Sequence, residues 1–266
     1  MHVEKPTIKT PITYYGGKQR LCKTITAMIP EHTLYAEPFL GGAAVFFAKS
    51  KSEVEVINDT NKELINFYRT VQMDFVSLEM EIRISLHSRD MHRQASVVYN
   101  NPDMFNPIKR AWAVWVLAHM SFSSILDGSF GYDKAKGTTS RKIMNARDGF
   151  TEALAIRLQD VQIECTDALR IITSRDTAGS FFYVDPPYFN ADCGHYDGYS
   201  KEDFEVLLKV LSKITGKFLL SSYPSDILAQ YVSEFGWKQK TIESAVSVNK
   251  GGANGKRKTE VLTWNY

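Results

Sequence analysis

The sequence predicts an α/β fold: a doubly wound core interrupted by a mostly helical insertion. Three observations predict it. Short apolar runs, glycine turns and helical spacing follow one another between Thr13 and Asp59. The same alternation resumes at Val161. The stretch between, roughly 62–157, has helical periodicity and then a loop rich in Gly, Ser, Thr and Lys.

The elements follow in order. Thr13–Lys18 is a tight turn that leads into helical spacing over Leu21–Ile29. Thr33–Glu37 is a short strand running into Pro38-Phe39-Leu40-Gly41-Gly42, and Ala43–Ser50 is a helix. Val54–Ile57 is the next strand and ends at Asn58-Asp59. Lys62–Leu86 reads as a long amphipathic helix. Asn100–Pro107 is a break, and Ile108–Met120 a second strong helix. Ser121–Asp148 reads as a functional loop with isolated aromatics. Val161–Cys165 and Phe181–Val184 are strands, then a helix covers Lys201–Ile214 and a strand Lys217–Ser222. Lys240–Val248 and Glu260–Trp264 form a closing antiparallel pair around a Gly/Lys loop.

Composition narrows the function classes. Of 266 residues, 44% are apolar and 23% charged, the usage of an ordinary globular chain that needs no staple. No apolar run is long enough to span a membrane, and Met1–Lys9 lacks the apolar core of a signal peptide. Lys+Arg total 32 against 30 Asp+Glu, so any basic surface must be local. Cys22, Cys165 and Cys193 form no C-x-x-C pair, and the six histidines are scattered, so no metal is expected. The default compartment is a reducing cytoplasm.

Four motifs carry chemistry. Asp185-Pro186-Pro187-Tyr188 ends a strand. Its prolines make the chain rigid and leave the Pro186 carbonyl free. A carboxylate and a carbonyl together can accept both hydrogens of an exocyclic amino group. Tyr188 offers a face for a planar base. The plain alternative is a proline turn with a solvated Asp. In the second motif, Gly41-Gly42 permits close backbone approach or simply makes a tight turn. Asp59 lies 20 residues after Phe39 and suits a ribose hydroxyl pair, or caps the following helix. Third, Lys18 follows the Gly16-Gly17 turn and can hold a carboxylate or phosphate. Fourth, Lys134, Lys136, Arg141, Lys142 and Arg147 gather in one stretch, and Lys250, Lys256, Arg257 and Lys258 in another. Such clusters suit a phosphate backbone or a solvated face.

The order of these pieces resembles the Dam-type DNA adenine-N6 methyltransferases in their alpha arrangement. There a Y/W-x-G-G-K segment precedes P-F-x-G-G, then N-D, a target-recognition insertion, and D-P-P-Y. This chain reads Tyr14–Lys18, Pro38–Gly42, Asn58-Asp59, an insertion, and Asp185–Tyr188; Arg257–Leu262 is similar to the family's closing strand. The third glycine often found after P-F-x-G-G is Ala43 here. The insertion carries Ser121–Tyr132, which resembles phage and prophage members rather than the hairpin of GATC readers.

The resemblance implies a Rossmann-like, S-adenosylmethionine-dependent fold, with core residues 1–61 and 158–266 and a recognition insertion at 62–157. It implies that Tyr14 and Lys18 hold the methionine end of the cofactor and that Phe39, Gly41 and Gly42 lie against it. Asp59 would take the ribose hydroxyls. Asp167, otherwise a helix N-cap, would contact the cofactor's adenine. Asp185, Pro186, Pro187 and Tyr188 would receive the target adenine, Asp185 also bordering the cofactor. The adenine must be flipped out of duplex DNA to reach them. Lys134, Lys136, Arg141, Asn145 and Arg147 are the candidates for DNA contact. The expected partner is double-stranded DNA, with no membrane and no metal, and the protein a monomer or weak dimer in bacterial or phage-infected cytoplasm. Two other readings stay open: methylation of RNA adenine or a protein glutamine amide, and a non-catalytic DNA-binding relative.

Overall fold

The computed structural model describes residues 8–135, 137–190, 199–245 and 257–266. Lys136, Cys193, Lys250 and Lys256 lie outside them. In chain order the elements are α1 (Cys22–Thr26), β1 (Leu34–Glu37), α2 (Ala44–Ala48), β2 (Val54–Asn58), α3 (Lys62–Met73), α4 (Phe75–Arg83), α5 (Arg89–Asn100) and α6 (Pro107–Met120). There follow α7 (Thr138–Asp148), α8 (Ala153–Leu158), β3 (Gln162–Glu164), α9 (Ala168–Ser174), β4 (Ser180–Val184) and α10 (Lys201–Leu211). The chain ends with β5 (Lys217–Ser222), α11 (Asp226–Phe235), β6 (Lys238–Ala245) and β7 (Arg257–Trp264).

The chain gathers into two compact units. One comprises Met1–Met28, Leu40–Lys51 and Asp59–Cys165, the other Ile29–Phe39, Ser52–Asn58 and Thr166–Tyr266. The second carries the strand order β2-β1-β4-β5-β7-β6. β2, β1, β4 and β5 run parallel, while β7 is antiparallel to both β5 and β6. β4 (SFFYV) is buried along its whole length, which explains its unbroken apolar run: a central parallel strand is covered on both faces. Fully burying Phe181, Phe182 and Val184 contributes about 2 kcal/mol each. Phe182, Val184, Phe218 and Leu220 pack with Ile171, Phe204, Leu207 and Ile227 from α9, α10 and α11. Strand order runs outward from β1 in one direction and from β4 in the other, so the carboxyl ends of β1 and β4 flank a topological switch point.

The first unit is built around α6, nine of whose fourteen residues are buried. α3, α4, α5 and α7 pack on it. Two sequence expectations change here. The helix expected over Lys62–Leu86 is broken at Asp74, which leaves the helical region (φ −143°, ψ 53°). The break lets Phe75 stack on Phe150 with centroids 5.2 Å apart. The loop expected over Ser121–Asp148 contains α7. Asp133 starts it by accepting from the Thr138 hydroxyl at 2.9 Å and from the Thr139 N–H. Ile143 is the only residue α7 buries, so the helix leaves little periodic signal in the sequence.

Candidate functional site

In the first unit, the Tyr14–Lys18 turn closes with the Gly17 N–H donating to the Tyr14 carbonyl at 3.0 Å. Gly16 is left-handed at φ 73°. Lys18 is buried as a residue, and its ammonium folds back to donate to the Gly16 carbonyl at 3.1 Å. Tyr14 meets the Gly41-Gly42 turn so closely that a Cβ on Gly42 would stand 2.9 Å from the Tyr14 Cβ. Gly41 itself has φ 49°. Ala43, directly after this turn, holds φ 54° and ψ 29°, a region glycine enters without steric cost. Tyr68 donates its hydroxyl to the Gly41 carbonyl at 3.1 Å and fixes the turn from the other side.

Asp59 is the hinge pin of this group. Its Oδ2 accepts from the Gly41 N–H and its Oδ1 from the Asn61 N–H, both at 2.9 Å. Burial raises its pKa, and the backbone N–H groups of Asn61, Gly41 and Thr60 oppose that rise. The neighbouring Asn61, not Asp59, caps α3, accepting from Glu63 and Leu64. Burial, and then the Asp59 charge, raise the Tyr14 phenol far above its ordinary pKa, so it stays neutral. Tyr14, Gly41, Gly42 and Asp59 are therefore brought together.

In the second unit, Asp185 stands at the carboxyl end of β4, beside the switch point. Tyr188 donates its hydroxyl to Asp185 Oδ1 at 3.2 Å, and its ring packs on Tyr223 with centroids 4.5 Å apart. Burial first, then Asp185 and Glu260, keep the Tyr188 phenol protonated. Pro186 is buried and Pro187 partly so, which holds the turn rigid. Beneath it Tyr183 and Ser221 share a hydrogen bond at 3.0 Å, and Tyr35 donates to the buried Glu37. Tyr223 and Glu260 went unnoticed in the sequence. The available signal was their position: Tyr223 directly follows the next parallel strand, and Glu260 lies on the closing strand.

Asn58 ties the strand ends together. Its Nδ2 donates to the carbonyls of Pro38 at 2.9 Å and Thr166 at 3.0 Å, and its Oδ1 accepts from the Thr166 N–H at 2.9 Å. This sets the turn in which Asp167 caps α9, accepting from Leu169 and Arg170. Phe39 lies edge-on to Tyr199.

The candidate DNA contacts separate by exposure. Lys134, Arg141 and Asn145 are exposed, the last two one turn apart on α7. Arg147 is engaged: its guanidinium donates to the carbonyls of Arg83 at 3.3 Å and Ser85 at 3.2 Å. Arg89 was not anticipated; its guanidinium lies 4.9 Å from the Phe130 ring centre and 5.5 Å from that of the exposed Tyr132. Among the described residues, no group of three His, Cys, Asp or Glu side chains is placed to hold a metal, and no helix is long and apolar enough to cross a membrane.

The chain is similar to known proteins over most of its length. The model of the D12 class N6 adenine-specific DNA methyltransferases matches residues 14–246. The type II methyltransferase M1.LlaDCHI of Lactococcus lactis subsp. cremoris is 24% identical, with 94% of this chain and 93% of that protein covered. The type II methyltransferase M.MjaIII of Methanocaldococcus jannaschii is 25% identical over 97% of this chain and 99% of its own length. The DNA N-6-adenine-methyltransferase of Escherichia phage P1 is 24% identical over 90% of this chain and 33% of that protein. The match spans the Tyr14 turn, the Gly41-Gly42 turn, Asp59 and the Asp185–Tyr188 segment, and the chain belongs to the D12 class N6 adenine-specific DNA methyltransferase family.

Proposed function

We propose that this enzyme transfers a methyl group from S-adenosylmethionine to N6 of an adenine flipped out of duplex DNA at a specific sequence. The observation that carries the reading is the end of β4. There a carboxylate, a rigid proline turn and a neutral aromatic ring converge beside the switch point of a parallel sheet.

The donor set suits the cofactor. S-adenosylmethionine has a charged methionine end, a ribose diol and a purine. Lys18 and Tyr14 would hold the first, beside Gly41 and Gly42. Asp59 would take the diol: its two oxygens accept backbone N–H groups, including those of Gly41 and Asn61, and a carboxylate has about four acceptor sites, so capacity for the diol remains. Phe39 and Asp167 would hold the purine. When bound, the cofactor supplies a methyl carbon attached to sulfur and open to attack.

The chain's own residues do the rest by positioning. The Asp185 carboxylate and the Pro186 carbonyl accept the two amino hydrogens of the target adenine, which turns its nitrogen lone pair outward. Asp185 also borders the methyl donor. Pro187 keeps the Pro186 carbonyl fixed. The Tyr188 ring stacks on the base and offsets part of the few kcal/mol that flipping costs. Catalysis then rests on orientation and electrostatics, with no covalent intermediate. Residues 62–157 serve as the target-recognition region, where Lys134 and Arg141 contact phosphates and Asn145 a base edge.

The test is methyl transfer from labelled S-adenosylmethionine to unmethylated bacterial DNA, with the product nucleosides identified by mass spectrometry. N6-methyladenine is the expected product, and Asp185→Ala should abolish it while cofactor binding survives. Label appearing in RNA or protein but not in DNA would refute the substrate. Turnover retained by Asp185→Ala would refute the role of the carboxylate.

A further inference from the structure

Tyr199 immediately precedes the capping box of α10, in which Ser200 and Asp203 satisfy each other's backbone N–H groups. Its ring meets Phe39 edge-on, with centroids 6.4 Å apart and planes at 89°. Its hydroxyl is out of contact with solvent and makes no hydrogen bond among the described residues. A buried O–H left in that state is costly, and proteins seldom keep one without a use. The phenol stays protonated, because burial first, then the charges of Asp203 and Asp167, raise its pKa far above the ordinary value.

The two nearby carboxylates accept from backbone N–H groups instead. Asp203 Oδ2 accepts from the Ser200 N–H at 2.8 Å, and Asp167 Oδ1 accepts from the N–H groups of Leu169 at 2.9 Å and Arg170 at 3.2 Å. Neither takes the Tyr199 proton. The hydroxyl is thus a donor and acceptor held ready beside an aromatic ring and an exposed acid. Phe39 and Asp167 are the two residues assigned above to the purine end of the cofactor, and Tyr199 belongs with them in the second unit.

We infer that the Tyr199 hydroxyl is the missing polar member of this set and hydrogen-bonds the adenine of the methyl donor, with Phe39 bracing its ring. A purine has a hydrogen-bonding edge and two apolar faces, which this combination of one phenol, one carboxylate and one aromatic ring can satisfy. The inference rests on the reading of S-adenosylmethionine as cofactor. It adds a residue that lies outside every motif through which the cofactor was recognised.

The test is calorimetric titration of the full chain with S-adenosylhomocysteine and with S-inosylhomocysteine, whose purine carries oxygen in place of the amino group. Wild type should prefer the adenine form. Tyr199→Phe keeps the ring and removes only the hydroxyl. It should bind S-adenosylhomocysteine about tenfold more weakly and discriminate less between the two ligands. Without ligand it should melt at the same temperature as wild type or higher, since the lost hydroxyl had no partner. Equal affinity in the variant, or undiminished preference for the adenine form, would overturn the inference. So would a lower melting temperature of the unliganded variant, because the hydroxyl would then have a structural partner. If wild type bound neither ligand, the cofactor reading itself would fall. Binding by wild type that the variant matches would remove Tyr199 alone.

Discussion

Two substitutions at Tyr188 separate what its hydroxyl does from what its ring does. Tyr188→Phe removes a hydrogen bond to Asp185 Oδ1 and leaves the ring on Tyr223, 4.5 Å between centroids. Hydrogen bonds to charged acceptors contribute about 1.5–3 kcal/mol, and at 3.2 Å this one belongs at the weak end. A loss of ~1.4 kcal/mol is about tenfold in rate. Tyr188→Ala loses the ring as well, and base–aromatic stacking contributes about 1–3 kcal/mol per base. Its turnover should therefore fall roughly a hundredfold to a thousandfold. The ring is partly exposed, so the accompanying loss of fold stability should lie at or below the ~3 kcal/mol typical of a truncated buried aromatic. Melting curves of both variants would record it. Two assays are used: single-turnover methylation of duplex DNA with adenine at the target, and binding to a duplex with 2-aminopurine in its place, which has no N6 to methylate and whose fluorescence rises when the base leaves the stack. The phenylalanine variant should keep the fluorescence rise and the alanine variant should lose it. Full flipping and turnover in Tyr188→Ala would refute the stacking role. A loss in Tyr188→Phe as large as in Tyr188→Ala would show that the hydroxyl, not the ring, matters.

Three further outcomes follow from the geometry. Gly42→Ala should cost about 1–3 kcal/mol and weaken cofactor binding, because the new methyl would stand 2.9 Å from the Tyr14 Cβ, which is fixed to the backbone; an unchanged melting temperature would contradict the packing. His119 is partly buried, donates to the Pro11 carbonyl and titrates at about 4 instead of 6.5, because desolvation disfavours its charge. The unfolded chain binds that proton first, so wild-type stability should fall as pH drops from 6.5 to 4, by at most ~3 kcal/mol from this group. His119→Gln should flatten that part of the denaturation profile; a parallel profile would place the cause elsewhere. Arg141→Ala should leave stability unchanged, weaken DNA binding and reduce its salt slope by about one, whereas Arg147→Ala should lower the melting temperature because Arg147 holds the Arg83 and Ser85 carbonyls. Identical behaviour of the two variants would refute the distinction.

Some of the site was legible because its chemistry is local. Asp185-Pro186-Pro187-Tyr188 announces a rigid strand end, since proline acts on its own φ and on its own missing N–H. Gly41 and Gly42 were legible as a close approach, but not what approaches them; that is Tyr14, distant in sequence. Asp59 was read as a ribose ligand or a helix cap. The fold gives the cap to Asn61 and sets Asp59 to clamp the Gly41 N–H and the Asn61 N–H at once. Arg141 and Arg147 looked alike in one basic run. Only the seating of α7 makes one exposed and the other a backbone clamp.

The sequence by itself determined the parallel strands and the family. A short, β-favouring apolar run such as Ser180–Val184, stopped by two prolines, reads as a fully covered strand, and motif order along a chain is itself sequence information. It also determined α6, whose fourteen residues are apolar enough to bury from most sides. Tertiary structure decided where periodicity is weak or a partner is remote. The Lys62–Leu86 pattern breaks at Asp74, and Phe75, just past the break, stacks on Phe150, a partner remote in sequence. α7 forms because Asp133 satisfies its first turn, although Ile143 alone anchors it. Tyr199 becomes notable only when its hydroxyl is found buried and unbonded among the described residues. Local propensity reads a few neighbours along the chain. Burial and hydrogen-bond satisfaction are properties of neighbours in space, and those exist only after folding.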